Sequence, residues 1–305
     1  MFNVAKFHAW LEYNDQTPFF IKINVLYACL FASLLYSAEA WGDLSKIETS
    51  LLATEKKALK SCLGVKSGTT SDLIFTEISR PDIVAVIKDR QFNFARKIKN
   101  LKKGDALVKE IWYLCASLDP PSLRSYYEHI TNNNTEINTT ERRTRVETSE
   151  QSMCVRYRTM IGTNFSETLY NSCLDDTKRT TITRWRLSSH KLKIETGRYT
   201  RPITERENRL CDVCRVIEDE RHAIYDCSVH RIIREKYKNI LKLEDANLQR
   251  LLNPTSINEA INLGKFLNEI DENLKELEKS CSELLSGLRE GQGEGARGRR
   301  VRRVE

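Results

Sequence analysis

Three cysteines and one histidine lie close together in the C-terminal half of the chain. Two residues separate Cys211 from Cys214, seven separate Cys214 from His222, and four separate His222 from Cys227. A two-residue gap lets both sulfurs of a tight turn face one point, and thiolate sulfur with imidazole nitrogen is a donor set that tetrahedral zinc prefers. The spacing therefore predicts one Zn²⁺ ion held by Cys211, Cys214, His222 and Cys227.

Four protein ligands leave no open coordination position for water, so the predicted zinc site is structural and not catalytic. His230 is an alternative fourth ligand in place of Cys227 if the last turn continues; otherwise we expect an exposed helical histidine there. Arginines that could offset the negative charge of the complex are also close in sequence. They are Arg215, Arg221, Arg231 and Arg234.

The other six of the nine cysteines are scattered singly among apolar or helical surroundings, which is typical of buried thiols and not of a disulfide framework. They are Cys29, Cys62, Cys115, Cys154, Cys173 and Cys281. Together with the lack of a signal-peptide pattern at the start, this usage predicts a reducing compartment, so we expect an intracellular protein of the cytoplasm or nucleus. The most apolar run, Val25 to Tyr36, is shorter than the ~18 residues of a membrane span, so we expect a buried helix and no membrane contact.

The balance of charge favours an anionic partner. Among 305 residues, 49 are Lys or Arg and 42 are Asp or Glu, giving a formal net charge of +7. The densest basic block runs from Lys178 to Arg209 and interleaves cations for phosphates with flat rings for unpaired bases, which predicts contact with RNA or DNA. The predicted contact residues are Arg184, Trp185, Arg186, Lys191, Lys193, Arg198 and Tyr199. The alternative is a solvated basic face with Trp185 and Tyr199 in the core.

The apolar residues recur mainly at helical spacing, so the predicted fold class is all-α. Pro18, Gly64 and the sequence Arg80-Pro81-Asp82 mark helix boundaries in the N-terminal part. We expect a helical region over 1–118, a polar linker over 119–150, a basic helical region with the zinc knuckle over 151–243, C-terminal helices over 244–290, and a disordered Gly/Arg tail over 291–305.

A long helix is predicted to follow a capping box formed by Ser256 and Glu259. Its apolar residues recur in steps of three and four, as in a coiled-coil seam. They are Ala260, Leu263, Leu267, Ile270, Leu274, Leu277, Cys281, Leu284 and Leu288. The pattern fits either packing on the chain's own core or self-association through residues 260–288.

Several runs of the chain, in order, resemble the region after the polymerase core of non-LTR (LINE-type) retrotransposon reverse transcriptases. In the N-terminal half these are Leu34 to Trp41 (LLYSAEAW), Ala58 to Val65 (ALKSCLGV) and Asp89 to Phe92 (DRQF). In the C-terminal half they are Arg184 to Leu192 (RWRLSSHKL), Ile194 to Tyr199 (IETGRY), Arg209 to Cys214 (RLCDVC), Ile217 to His222 (IEDERH) and Cys227. The resemblance spans about Phe7 to Tyr237.

The resemblance implies a thumb-like helical region plus a zinc knuckle that engages template RNA or target DNA, in a truncated or degenerate element product. Polymerases of this kind use an aromatic-X-Asp-Asp turn to hold two magnesium ions. The adjacent aspartates Asp175 and Asp176 follow Leu174 and lack the aromatic residue, so we expect a helix N-terminus there and no enzyme activity. The predicted function is non-catalytic nucleic-acid binding, and the alternative is a zinc-stabilised helical scaffold for protein interactions.

Overall fold

The fold is all-α in the residues that the computed structural model describes, namely 4–14, 16–41, 44–100, 107, 109–110, 139–162, 166–244 and 247–294. Within these ranges there is no strand, and the only ladder contact is an isolated antiparallel bridge between Leu210 and Ile217. The predicted fold class is therefore confirmed. None of the described helices combines the length and apolar character that a membrane span requires.

Fourteen α-helices are described in these ranges. They are α1 (Val4–Tyr13), α2 (Phe19–Val25), α3 (Ala32–Leu34), α4 (Glu48–Leu63), α5 (Ser71–Ile78), α6 (Ile83–Lys99), α7 (Thr139–Thr148), α8 (Ser152–Met160), α9 (Glu167–Tyr170), α10 (Asp176–Arg186), α11 (Lys193–Thr196), α12 (Arg231–Leu241), α13 (Leu248–Leu251) and α14 (Ile257–Glu294). A π-helical segment, Leu26–Phe31, joins α2 to α3.

The chain divides into two compact units. The first unit comprises Met1–Ser189 with Ala246–Leu263, and the second comprises His190–Asp245 with Gly264–Glu305. The boundary between Ser189 and His190 falls inside the basic region predicted over 151–243. That region therefore does not form one structural unit, and its basic residues are shared between two.

Helix boundaries in the first unit follow local chemistry. Pro18 precedes the first residue of α2, and Gly64 ends α4 in the left-handed conformation with φ of 68°. A Cβ at Gly64 would come within 2.6 Å of Thr180 of α10, so the position favours glycine for space as well as for backbone freedom. The carboxylate of Asp82 accepts a hydrogen bond from the Ala85 amide at the start of α6. These predicted boundaries are confirmed.

A buried ion pair links distant parts of the first unit. Glu77 of α5 receives a bond from Arg186 Nε of α10 at 2.5 Å, and the hydroxyls of Tyr157 and Tyr170 also donate to it. Both charged side chains are fully buried. Burial alone would lower the pKa of Arg186, but the Glu77 carboxylate raises it above its ordinary value. Arg186 also donates to the carbonyl oxygen of Leu252 at 2.6 Å, so one guanidinium connects several helices.

The end of the predicted polar linker is structured. Residues 139–148 form α7, Val146 is completely buried, and Arg158 donates to its carbonyl oxygen. This part of the predicted linker is therefore helical and buries one apolar side chain. Residues 119–138 of the predicted linker lie outside the described part of the chain.

The last helix begins as the capping box predicted. The Ser256 hydroxyl accepts from the Glu259 amide at 3.2 Å, while the Glu259 carboxylate reaches back to the Thr255 amide at 2.9 Å. Ala260, Leu263 and Ile270 are completely buried, whereas Leu277 is 36% exposed. The first half of the seam thus packs within the chain, and self-association stays a prediction.

The last positions of the seam lie where side chains are not described. Of the predicted disordered tail, residues 291–294 are helical, and residues 295–305 lie outside the described part.

We expect Glu77→Ala to lower the free energy of unfolding of the first unit by about 3–5 kcal/mol, because the Arg186 charge would stay buried without its carboxylate. Urea unfolding followed by tryptophan fluorescence measures this directly, since the tryptophans that the structure describes (Trp10, Trp41 and Trp185) belong to the first unit. The control is Glu48→Gln, whose half-exposed carboxylate lies 4.0 Å from Lys88 and should change stability by less than about 0.5 kcal/mol. Equal effects of the two substitutions would contradict the role given to the buried pair.

Candidate metal centre

The first two candidate ligands lie on a tight backbone reversal. The amide of Cys211 donates to the carbonyl oxygen of Val216 at 2.8 Å, and the amide of Glu218 donates to that of Arg209 at 2.9 Å. Within this reversal the amide of Arg215 donates to the carbonyl oxygen of Cys211 at 2.9 Å, with φ of 59° at Arg215. The short Cys-X-X-Cys gap therefore brings both thiols to one side of the turn.

The other two candidate ligands lie at the two ends of a short π-helical turn, His222–Asp226. The Asp219 carboxylate accepts from the His222 amide at 2.9 Å and so caps the start of this turn. At its end, the Cys227 amide donates to the His222 carbonyl oxygen at 2.7 Å, and the backbone of Cys227 becomes extended. One helical turn thus points the imidazole and the third thiol toward the backbone reversal that carries Cys211 and Cys214.

The four side chains converge on one point. The Cys227 sulfur lies 3.9 Å from that of Cys211 and 3.9 Å from that of Cys214, and the four donor atoms lie within 4.8 Å of one another. A tetrahedral zinc ion with Zn–S bonds of ~2.3 Å holds its sulfurs about 3.8 Å apart. The geometry is thus compatible with one metal ion.

The polar atoms of the cluster also fit a metal ion. His222 Nε2 is buried and has no hydrogen-bond partner among the described residues, although a buried imidazole nitrogen normally has one. Burial lowers the pKa of His222, which favours the neutral imidazole that a metal needs. The Ser228 hydroxyl and amide both contact the Cys214 sulfur and lower the pKa of that thiol, whereas burial raises the pKa of Cys227 to about 12.

The surroundings of the cluster differ in part from the expectation. Of the four arginines expected to offset its charge, Arg234 donates to the Cys227 carbonyl oxygen at 2.9 Å. His230, expected to be exposed if it was not a ligand, is buried at the start of α12, and burial lowers its pKa to about 4. The exposed-histidine prediction is therefore wrong, because the turn Ser228–His230 folds this side chain inward. The structure brings Cys227, and not His230, into the four-residue group.

The predicted nucleic-acid contact residues are divided between the two units. Trp185 and Arg186 belong to the first unit and are both 0% exposed. Trp185 is thus a core residue and Arg186 is the partner of Glu77, so neither is placed to touch a ligand at the surface. Arg184, on the outer face of α10, is exposed, and its Nε donates to the Gly64 carbonyl oxygen at 2.6 Å.

The predicted contact residues of the second unit have acidic partners. Lys193 pairs with Asp212 at 2.5 Å, Arg198 pairs with Glu195 at 3.1 Å, and Lys191 lies 4.0 Å from Glu278. Tyr199 is 58% exposed, and its hydroxyl donates to Glu195 at 3.2 Å. These side chains are accessible, but part of their positive charge is already compensated.

Five other arginines of the second unit are exposed and are here called the knuckle arginines. They are Arg201, Arg206, Arg215, Arg221 and Arg231, and all are exposed. Within the part of the chain that the structure describes, none of them has a carboxylate at ion-pair distance. From the sequence, Arg215, Arg221 and Arg231 were predicted only to offset the charge of the metal complex. Because they flank the ligands on turns, their exposure at the surface could have been predicted as well.

The adjacent aspartates have structural roles. Asp175 caps α10 by accepting from the Lys178 amide at 3.1 Å. Asp176 is buried and binds Lys22 at 2.6 Å and Arg179 at 2.8 Å. The expectation of a helix N-terminus at these residues is confirmed.

Comparison with known proteins gives no match, whether against protein-family models, curated proteins or solved structures. The resemblance to retrotransposon reverse transcriptases remains a prediction.

We expect the purified chain to contain one zinc ion and Cys227→Ser to contain much less, because the site would lose one of its three thiolates. Chelation should increase hydrogen exchange over residues 205–240, while exchange in helices α4, α5 and α10 of the first unit stays constant. Cys173→Ser, which removes an exposed thiol outside the cluster, is the control for metal content. A metal-free wild-type chain with full protection over 205–240 would contradict the site.

Proposed function

We propose that the chain is a non-catalytic nucleic-acid-binding protein in which one structural zinc ion shapes a basic recognition module. The observation that carries the proposal is the closed four-donor cluster flanked by exposed arginines. Three thiolates and one imidazole favour zinc over magnesium or calcium, which prefer oxygen ligands. Because all four positions are filled by the protein, the ion supplies shape and no reactive water.

The ligand positions explain why these arginines need the metal. Arg215 follows Cys214 directly, Arg221 precedes His222, and Arg231 begins the helix after Cys227. An ion that fixes the ligands therefore also fixes the backbone from which these side chains project. A guanidinium group can form two parallel hydrogen bonds to the oxygens of one phosphate. An arginine without an acidic partner can form both of these bonds without first breaking an ion pair.

Nucleic acid is the partner that this surface suits best. The chain carries a net charge of +7, and the exposed ring of Tyr199 lies beside Arg198 as a flat surface for an unpaired base. In the proposed role, the knuckle arginines contact the phosphate backbone of the nucleic acid. Additional contacts come from Lys191, Lys193, Arg198 and Tyr199. This corresponds to passive binding of template RNA or target DNA by the post-polymerase region, as the resemblance implies.

A protein-interaction scaffold is the second candidate. It is favoured by the apolar side chain of Ile232, which is 81% exposed on α12, and by Leu277, which is 36% exposed on α14. Apolar association depends weakly on salt, whereas nucleic-acid binding releases condensed counterions and weakens steeply as salt rises. The salt dependence of binding therefore separates the two functions.

We expect the zinc-loaded chain to bind a fluorescein-labelled single-stranded RNA, and Arg215→Gln/Arg221→Gln to make the plot of log affinity against log salt shallower by about 1.4, or ~0.7 for each lost phosphate contact. Fluorescence anisotropy over a potassium chloride series provides the measurement. The matched control is Lys236→Gln/Lys238→Gln, which removes two charges already paired with Glu269 and Glu244 in the same unit. Absence of RNA binding, or a flat salt response, would favour the scaffold.

A further inference from the structure

A second group of cations gathers around one turn of the first unit. Lys60, in the last turn of α4, donates to the Ser67 carbonyl oxygen, and Arg184 of α10 donates to the Gly64 carbonyl oxygen at 2.6 Å. These two residues are far apart in sequence, and the turn after α4 brings them together. Lys56 and Lys57 lie one helical turn before Lys60 on α4. We call these four residues the α4 basic cluster.

The two cations bound to the turn are close enough to act together. The carbonyl groups of Gly64 and Ser67 are three residues apart, so an extended chain would separate them by at most about 11 Å. Each donor nitrogen lies within 2.6 Å of its carbonyl oxygen, so the two charges are at most about 16 Å apart, within the reach of one extended polyanion. One extended anion therefore meets both charges at the same time.

Acidic residues nearby are engaged elsewhere. Glu55 of α4 is buried, and its carboxylate accepts from the Ile83 amide at 2.8 Å. Asp176 of α10 is buried with Lys22 and Arg179. Across the residues that the structure describes, no carboxylate lies at ion-pair distance from Lys56, Lys57, Lys60 or Arg184. The positive charge of the cluster is thus not compensated locally.

The positive charges of the lysines affect one another's pKa. Burial lowers the pKa of Lys60, and the ammonium group of Lys56 lowers it further. The bond from Arg184 to Gly64 uses only the Nε–H of the guanidinium, which has five N–H donors. The geometry thus holds the guanidinium in place without consuming its capacity for a paired bond to an oxyanion.

We infer that the α4 basic cluster is a second nucleic-acid contact, at which Lys56, Lys57, Lys60 and Arg184 bind successive phosphates of the backbone. The inference rests on the proposed function for the type of partner, but it uses residues of the other unit and does not depend on zinc. A backbone suits the cluster because it presents regularly spaced charges to cations that are spread over a helix and a turn.

The test compares three full-length, zinc-loaded variants in the RNA anisotropy assay. Lys56→Gln/Lys60→Gln should weaken binding roughly tenfold at about 0.1 M salt and make the salt dependence shallower by about 1.4, for two contacts at ~0.7 each. Lys56→Arg/Lys60→Arg keeps the charge and should bind as the wild type does. Lys88→Gln/Arg96→Gln removes the same charge from the exposed face of α6, in the same unit, and should have a much smaller effect.

The outcomes distinguish this inference from the proposed function. If the wild-type chain binds RNA and the Lys56→Gln/Lys60→Gln variant matches the α6 control, the inference is wrong and the proposed function stands. If the wild-type chain does not bind RNA, both are wrong. Displacement of RNA by inorganic phosphate far beyond an ionic-strength-matched chloride solution, in the wild type but not in Lys56→Gln/Lys60→Gln, would identify a free-phosphate site and overturn the inference. Tryptophan-monitored urea unfolding, with unchanged midpoints expected, shows that the variants are folded.

Discussion

Buried thiols and an imidazole nitrogen without a partner share one small space between Cys211 and Cys227. Thiolates would repel one another strongly here, because the Cys227 sulfur lies 3.9 Å from each of the other two, and the buried Nε2 atom of His222 has no hydrogen-bond partner among the described residues. A divalent cation removes both penalties, because it binds the nitrogen and neutralises most of the sulfur charge. In zinc-finger peptides such a site contributes ~10–16 kcal/mol of apparent binding free energy, as much as the typical net stability of a whole domain. If zinc binds here, as we propose, the order of this module and of the arginines on its turns depends on the metal.

The first unit is stabilised in a different way. Its helices bury apolar faces, and its polar interior is organised by two groups of charges: Glu77 with Arg186, and Asp176 with Lys22 and Arg179. Each charge in these two groups has a partner of opposite sign, as a low-dielectric interior requires. The candidate metal ligands all belong to the second unit, whereas the α4 basic cluster belongs to the first. In the proposed function, the knuckle arginines therefore depend on the metal and the α4 basic cluster does not.

Features that depend on a few adjacent residues could be predicted from the sequence. The metal ligands, the capping roles of Asp82 and Ser256, and the left-handed end of α4 at Gly64 depend on local spacing and local backbone chemistry. The prediction for His230 failed because of a local turn, whereas the prediction for Arg186 failed because its partner is distant in sequence. The sequence predicts that Arg186 is a surface cation like its neighbour Arg184. Its burial is possible because Glu77, 109 residues away, provides a negative charge. Local charge density cannot reveal such a partner, and for the same reason the convergence of Lys60 and Arg184 on one turn was not foreseen.

The presence of a closed Cys₃His zinc site is best tested by X-ray absorption at the zinc edge, because this method counts and identifies the atoms bound to the ion in the intact chain. We expect one zinc ion with three sulfur neighbours at ~2.3 Å and one nitrogen neighbour at ~2.0 Å, and no bound water. The substitution His222→Cys should convert the spectrum to four sulfurs. A first shell rich in oxygen, or a shell of fewer than three sulfurs in the wild-type chain, would contradict the closed Cys₃His site.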